Sequence, residues 1–294
     1  MGLIKNIHAR EILDSRGNPT IEVEVTTDDG YFGRAAVPSG ASTGIWEAVE
    51  LRDKGERFHG KGVSNAVKGV KEELLPKLKG FDVFEQEKLD AFMIKIDGTD
   101  NKGRLGGNAI LGVSIATAQA AAASKGLRLY EYITKDSHLL PVPFFNVVNG
   151  GMHAGNQLDF QEFMIAPTGA KTFKEALRMG SEIYQTLKVN LKKDYGKNAT
   201  NVGDEGGFSP PMTSPEEAIE SILASVEELG YSDKVTLAMD VAASSFFKGK
   251  GVYSYKGKEI NTGELIEVYV ELVDKYPISS IEDPLEEEDY QGFV

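Results

Sequence analysis

The second half of the chain sets the strongest limit on the fold. From Pro141 onward, short apolar runs alternate with longer amphipathic ones. Residues 144–148, 159–166, 200–203, 235–240 and 278–281 have the length and composition of buried strands. The helical patterns between them have recognisable starts. Thr172-Phe173-Lys174-Glu175 is a capping box that opens a helix running to about Lys193. Ser214-Pro215-Glu216-Glu217 is a second, with proline at the first helical position. Its helix lines up Ile219, Ile222, Leu223, Val226 and Leu229 and stops at Gly230. Asn261 caps a third, with Glu264 as reciprocal partner, and Pro277 ends it. Alternation of this kind predicts right-handed βα units and a parallel sheet, here opened irregularly by two consecutive strands. Five strands lie between Val142 and Val294, whereas an eight-stranded α/β barrel takes about 250 residues. An open sheet is therefore the alternative to a partial barrel.

The first half reads differently. Strands are expected over 4–13, 21–25 and 31–37, joined by turn chemistry at Asp14-Ser15-Arg16-Gly17-Asn18-Pro19 and Asp28-Asp29-Gly30. Helical patterns follow at 63–78, 83–96 and 108–124. Residues 1–137 thus read as an α+β domain, a three-stranded antiparallel meander followed by helices, and 138–294 as a second domain.

Bulk properties narrow the function. The net charge of −13 disfavours nucleic acid and anionic membranes as partners. The chain has no cysteine, which excludes disulfides and thiolate metal sites. Its start, Met1-Gly2-Leu3-Ile4-Lys5-Asn6, shows no signal-peptide core. The apolar run 109–123 carries Ser114, Thr117 and Gln119 and is too short to span a bilayer. A cytoplasmic protein without a membrane span is expected.

The chemistry is in acidic residues at strand ends. Asp240 closes one strand, Glu282 follows another, and Asp204-Glu205 lies in the glycine-flanked turn Gly203-Asp204-Glu205-Gly206-Gly207. Hard cations such as Mg²⁺ take oxygen ligands, commonly a few carboxylates plus substrate oxygens. In α/β folds, chemistry collects at the carboxyl ends of strands. Either strand-end carboxylate alone reads equally as a helix cap or a loop anion; the set together points to metal-assisted acid–base chemistry on a small anionic substrate. Glu205 beside another acid is a candidate general acid with a raised pKa, and Glu162 a candidate partner. His153 lies in the glycine-rich stretch 149–156, which has the composition of a mobile active-site loop. Pro38-Ser39-Gly40-Ala41-Ser42-Thr43-Gly44 could embrace a phosphate or a metal, or be a plain linker. Gly55 and Gly60-Lys61 imitate a phosphate-binding loop, but Gly62 stands where serine or threonine is required.

These residues closely resemble the enolase family. The motifs that carry the resemblance are 14–20, 37–44, 149–156, Gln161-Glu162-Phe163-Met164-Ile165-Ala166-Pro167, Gly203-Asp204-Glu205-Gly206-Gly207 and Ser280-Ile281-Glu282-Asp283-Pro284, in the family's order along the whole chain. The resemblance implies an N-terminal α+β domain followed by an incomplete barrel of ββαα(βα)n type. It implies reversible dehydration of 2-phosphoglycerate to phosphoenolpyruvate with two Mg²⁺ ions per site, in a homodimer or larger homo-oligomer. Enolase-superfamily sites are themselves a standard illustration of this arrangement of base and metal. Residue by residue, the resemblance makes Glu205 the general acid and Glu162 its partner. Asp240 and Glu282 become ligands of the first metal and Ser42 a ligand of the second. His153 and Gln161 become substrate contacts, and Arg10 and Glu22 match dimer-interface positions.

Two departures stand out. Ser245 occupies a position where the family usually has glutamate. The family's third metal carboxylate, catalytic lysine base, second active-site lysine and Ser-His-Arg phosphate segment have no counterpart before Val294. The sequence is thus expected to be a fragment of a longer chain, inactive by itself. Two other readings are a different enolase-superfamily dehydratase and a non-catalytic scaffold or surface-binding fragment. Gln161-Glu162-Phe163, where the dehydratases carry a Lys-x-Lys pair, favours enolase over the first.

Overall fold

A computed structural model describes residues 2–40, 43–134, 136, 138–151 and 154–294. The chain divides into two compact units, Met1–His138 and Leu139–Val294.

In the first unit, β1 (Ile4–Leu13), β2 (Pro19–Thr27) and β3 (Phe32–Ala36) form the antiparallel meander in the order β1-β2-β3. Alternation in β2 turns Ile21, Val23 and Val25 inward, fully buried, and leaves Glu22 and Glu24 on the other face. Helices α1 (Ser64–Gly69) and α2 (Leu75–Leu78) are joined by a π turn over Val70–Leu74, and α3 (Gln86–Asp97) follows. The small-residue helix α4 (Gly107–Ser124) lies on the sheet, and α5 (Leu129–Ile133) ends the unit. Two glycines set how closely α4 approaches. A Cβ at Gly33 would sit 2.1 Å from the Ala116 carbonyl oxygen, and one at Gly112 would sit 2.6 Å from Val23 Cγ2. Each large apolar side chain sealed at this contact, such as Val23 or Val113, contributes about 1.5–3 kcal/mol of burial, and each alanine less. Among the described residues no helix is long and apolar enough to cross a membrane.

In the second unit, β4 (Phe145–Asn149) and β5 (Glu162–Ala166) are followed by two long helices, α6 (Phe173–Tyr195) and α7 (Pro215–Glu228). Then come β6 (Thr236–Asp240), a small meander β7 (Phe247–Gly249), β8 (Val252–Tyr255) and β9 (Lys258–Asn261), helix α8 (Thr262–Lys275) and β10 (Ile278–Glu282). The caps read from sequence are present. Thr172 Oγ1 accepts from the Glu175 amide, Ser214 Oγ from Glu217, and Asn261 and Glu264 cap each other.

The main sheet runs β10-β6-β5-β4, and here the structure corrects the expected parallel pairing. Only β6 and β10 are parallel; β4 with β5 and β5 with β6 are antiparallel. No helix separates β4 from β5, so the chain turns back on itself. Two helices separate β5 from β6, and the second cancels the reversal made by the first. A single helix, α8, leads from the β7–β9 meander into β10. The expected strand over 200–203 does not form: a 3₁₀ turn, Lys197–Thr200, ends at its first residue, and only a single bridge from Val202 to Phe208 follows. The β7–β9 meander was not foreseen. Its tight turn at Lys256-Gly257 has positive φ at both residues, as a two-residue hairpin requires. Phe160, expected within a strand, precedes β5 and stacks with Phe163, Phe246 and Tyr255 in the core.

Candidate active site

Asn149 ends β4, Glu162 begins β5, Asp240 ends β6 and Glu282 ends β10. Cross-strand register pairs Asn149 with Glu162, Glu162 with Asp240, and Asp240 with Glu282. Residues directly opposite in a sheet share a face, with Cβ atoms about 4.5–5.5 Å apart. The sheet therefore carries one line of polar side chains across its end, three of them carboxyls.

Several groups hold this line. Gln161, buried, donates from Nε2 to Asp240 Oδ2 at 3.2 Å. The Ala242 amide donates to Asp240 Oδ1 at 3.0 Å. Ala242 itself sits in the left-handed region, φ 48° and ψ 50°, where a non-glycine residue is strained. Glu205 approaches from the glycine turn. The Gly203 amide bonds the Gly207 carbonyl at 2.8 Å, and Tyr184 Oη donates to the Gly206 carbonyl at 2.8 Å. Gly206 has φ 85°, so this turn needs glycine there. The Glu205 carboxyl comes close enough to Glu162 to act on its protonation.

The electrostatics follow from the placement. Burial pushes the Glu162 carboxyl up to about 8, helped by the hydrogen bond to Glu205 and by the charges of Glu205, Asp240 and Glu282. Asp240 is pushed up to about 6, first by burial and then by Glu282, against the Ala242 amide, which favours its ionised form. The leading charged neighbours of these two carboxyls are other acids.

The arrangement brings together Glu162, Asp240, Glu282, Gln161 and Glu205. It leaves Asp204 out: that side chain is exposed and lines a separate polar cavity of about 390 Å³ with Asn156, Tyr195 and Asn201. His153 and Ser42 lie outside the described residues. The foot of the loop that carries Ser42 is tied down. Arg16 donates to the Ser39 carbonyl at 2.9 Å, and Arg52 to Ser39 Oγ at 2.9 Å. Arg10 and Glu22 pair with each other within the chain at 2.6 Å.

The donors are all oxygen, which suits a hard divalent cation, and the row lacks positive charge of its own. Among the described residues, no group of three or more Asp, Glu or His side chains is placed to hold a metal ion. The carboxylates are aligned rather than wrapped. Two strand-end carboxylates with open positions are what Mg²⁺ commonly uses when substrate oxygens complete its shell.

Sequence reasoning did not single out Asn149, whose signal was a polar residue closing the apolar run 145–148. It also missed Tyr184, which is one aromatic among many on a helix.

Comparison with known proteins decides the family. Residues 4–133 match "Enolase, N-terminal domain", and residues 137–294 match "Enolase, C-terminal TIM barrel domain". The chain is 58% identical to the enolase of Thermococcus gammatolerans, an alignment covering 99% of this chain and 68% of that protein. It is 55% identical to that of Methanocaldococcus jannaschii, over 99% of this chain and 69% of the relative. With that of Corynebacterium kroppenstedtii it shares 52% identity, over 100% of this chain and 69% of the relative. The chain belongs to the enolase family. Enolases are lyases, and the meander with its helices is the enolase N-terminal domain. The β10-β6-β5-β4 sheet belongs to the enolase barrel, whose ββαα opening accounts for the antiparallel β5.

Proposed function

We propose that this chain takes part in the enolase reaction, the reversible dehydration of 2-phosphoglycerate to phosphoenolpyruvate, and that its carboxyl row forms the acid side of the site. The observation that supports this is the cross-strand row of Glu162, Asp240 and Glu282, with Glu205 close enough to act on Glu162. Burial and neighbouring charge keep a proton on Glu162 near neutral pH. That proton on Glu162 lies beside Glu205, so the acid side of the site has a proton to pass on. Glu205 is the group that hands a proton to the departing hydroxyl, which leaves as water while the C–O bond breaks. Passing the proton on leaves the pair fully ionised, and uptake of one proton restores it. Gln161 orients Asp240 through its amide, and His153 contacts substrate. When bound, Mg²⁺ at Asp240 and Glu282, with a second ion at Ser42, supplies positive charge against the enolate that forms. The proton-abstracting lysine implied by the family matches no position of this sequence. A glycolytic, cytoplasmic role and assembly as a homodimer or larger homo-oligomer belong to the same reading.

The test combines calorimetry with the ultraviolet absorbance of phosphoenolpyruvate. Binding of 2-phosphoglycerate should require Mg²⁺ and weaken in Asp240→Asn. In any preparation that turns over, Glu205→Gln should cut the rate by about 10²–10⁴-fold. Substrate binding indifferent both to Mg²⁺ and to Asp240→Asn would overturn the assignment.

A further inference from the structure

We infer that Asn149 is a positioning residue: its side-chain amide clamps the segment that carries Glu162 to the turn that carries Glu205. The inference rests on the proposed pairing of those two carboxyls and adds what holds their two segments together. Asn149 is fully buried at the end of β4. Its Oδ1 accepts from the Gly207 amide at 2.8 Å, and its Nδ2 donates to the Gln161 carbonyl at 3.3 Å. One planar amide therefore spans from two residues after Glu205 to one residue before Glu162. The main chain repeats the clamp: the Asn149 amide donates to the Phe208 carbonyl at 2.8 Å, and the Phe208 amide to Val147 at 2.9 Å.

Gly207 shows how tight the clamp is. A Cβ there would lie 2.7 Å from Asn149 Oδ1 and 2.8 Å from Asn146 Oδ1. The turn can rest on Asn149 only because residue 207 has no side chain. Asparagine is the fitting residue because it offers an acceptor and a donor on one short rigid group. Aspartate lacks the donor, and serine is too short to reach both partners. The link also crosses two stretches of chain separated by 58 residues, between Asn149 and Gly207. Without it, the Glu205 turn would be held mainly by the Phe208 ladder and the Tyr184 hydroxyl.

The experiment reads the contact between the carboxyls directly, and needs neither turnover nor bound metal. With ¹³C-labelled glutamate, Glu162→Gln should shift the Glu205 side-chain carboxyl resonance, because the two groups touch. In an Asn149→Ala background the same substitution should no longer shift it. Gly207→Ala, which pushes the turn off the amide from the other side, should reproduce the loss. Asn190→Ala is the control. It removes amide hydrogen bonds to Ser225 at 3.1 Å and Glu228 at 3.2 Å, and should lower stability while leaving the cross-effect intact. A folded Asn149→Ala chain that keeps the full cross-effect overturns the inference. Should that variant not fold, Asn149→Ser decides in the same way. Failure of the catalytic reading would show instead as Mg²⁺-independent substrate binding alongside an intact cross-effect, so the two failures are distinguishable.

Discussion

The two sheets of this molecule both line up charged side chains across neighbouring strands, and they do so with opposite results. In the N-terminal sheet, Arg10 on β1 stands opposite Glu22, and Arg34 on β3 stands opposite Glu24. Arg10 reaches Glu22 at 2.6 Å and Glu24 at 2.7 Å, so the acids there are answered by guanidinium groups on adjacent strands. In the barrel sheet, the opposite neighbours of Asp240 are Glu162 and Glu282. The same register geometry that neutralises charge in one sheet concentrates it in the other. Like charges opposite one another destabilise a sheet, so the barrel row is stable chiefly when a proton or a cation joins it. The N-terminal row is complete as it stands.

This contrast can be broken or sharpened experimentally. The largest expected effect is from Mg²⁺. At a hundredfold excess over its dissociation constant, a ligand that binds only the folded state adds about 2.7 kcal/mol. A clear rise in the thermal midpoint of the parent chain is expected, with most of it lost in Asp240→Asn and none of it lost in Arg10→Ala. An unchanged midpoint would mean that the row is not a cation site.

The next effect is of pH. The folded Glu162 carboxyl is raised from 4.5 to about 8 and Asp240 from 3.8 to about 6. Groups raised in this way favour the folded state fully below their unfolded values, and that contribution is lost as pH rises through the folded ones. Without metal, stability should therefore fall between pH 4 and 6 through Asp240, and on towards pH 8 through Glu162. The Glu162 share is about 2 kcal/mol, after allowing for solvent screening of a half-buried group. Urea titrations at pH 5 and pH 8 would measure the slope, and Glu162→Gln should flatten it. A slope that survives that substitution would assign the effect to other groups.

Smaller effects complete the comparison. Arg10→Ala removes the half-buried pairs to Glu22 and Glu24 on the sheet surface and should cost about 1 kcal/mol. A much larger loss in a denaturant titration would show that the N-terminal row is not merely neutralised but structurally essential. Ala242→Gly relieves a left-handed alanine but frees the unfolded chain. These terms are each about 1 kcal/mol and opposed, so little net change in thermal midpoint is expected.

Much of this was legible in the sequence because it depends on neighbours in the chain. The starts of α6, α7 and α8 could be read from Thr172, Ser214 and Asn261, since a cap acts over three residues. The carboxylates at Asp240 and Glu282 could be found because strand ends carry their own punctuation. The sequence alone therefore determined the two-part organisation and the starts of the long helices, and it pointed to a kind of chemistry.

Only the tertiary structure decided which groups meet. Sequence named Glu205 rather than Asp204 as the candidate acid, but only the direction of one turn shows why: Asp204 faces solvent and Glu205 comes close to Glu162. The strand–helix alternation by itself did not reveal that β5 runs antiparallel, a feature only the family resemblance implied, nor that Asn149 spans the two carboxyl-bearing segments. Register between strands is fixed by packing summed over many residues far apart in the chain. A shift of one position would turn every side chain to the other face, and with it would go the row on which the chemistry depends.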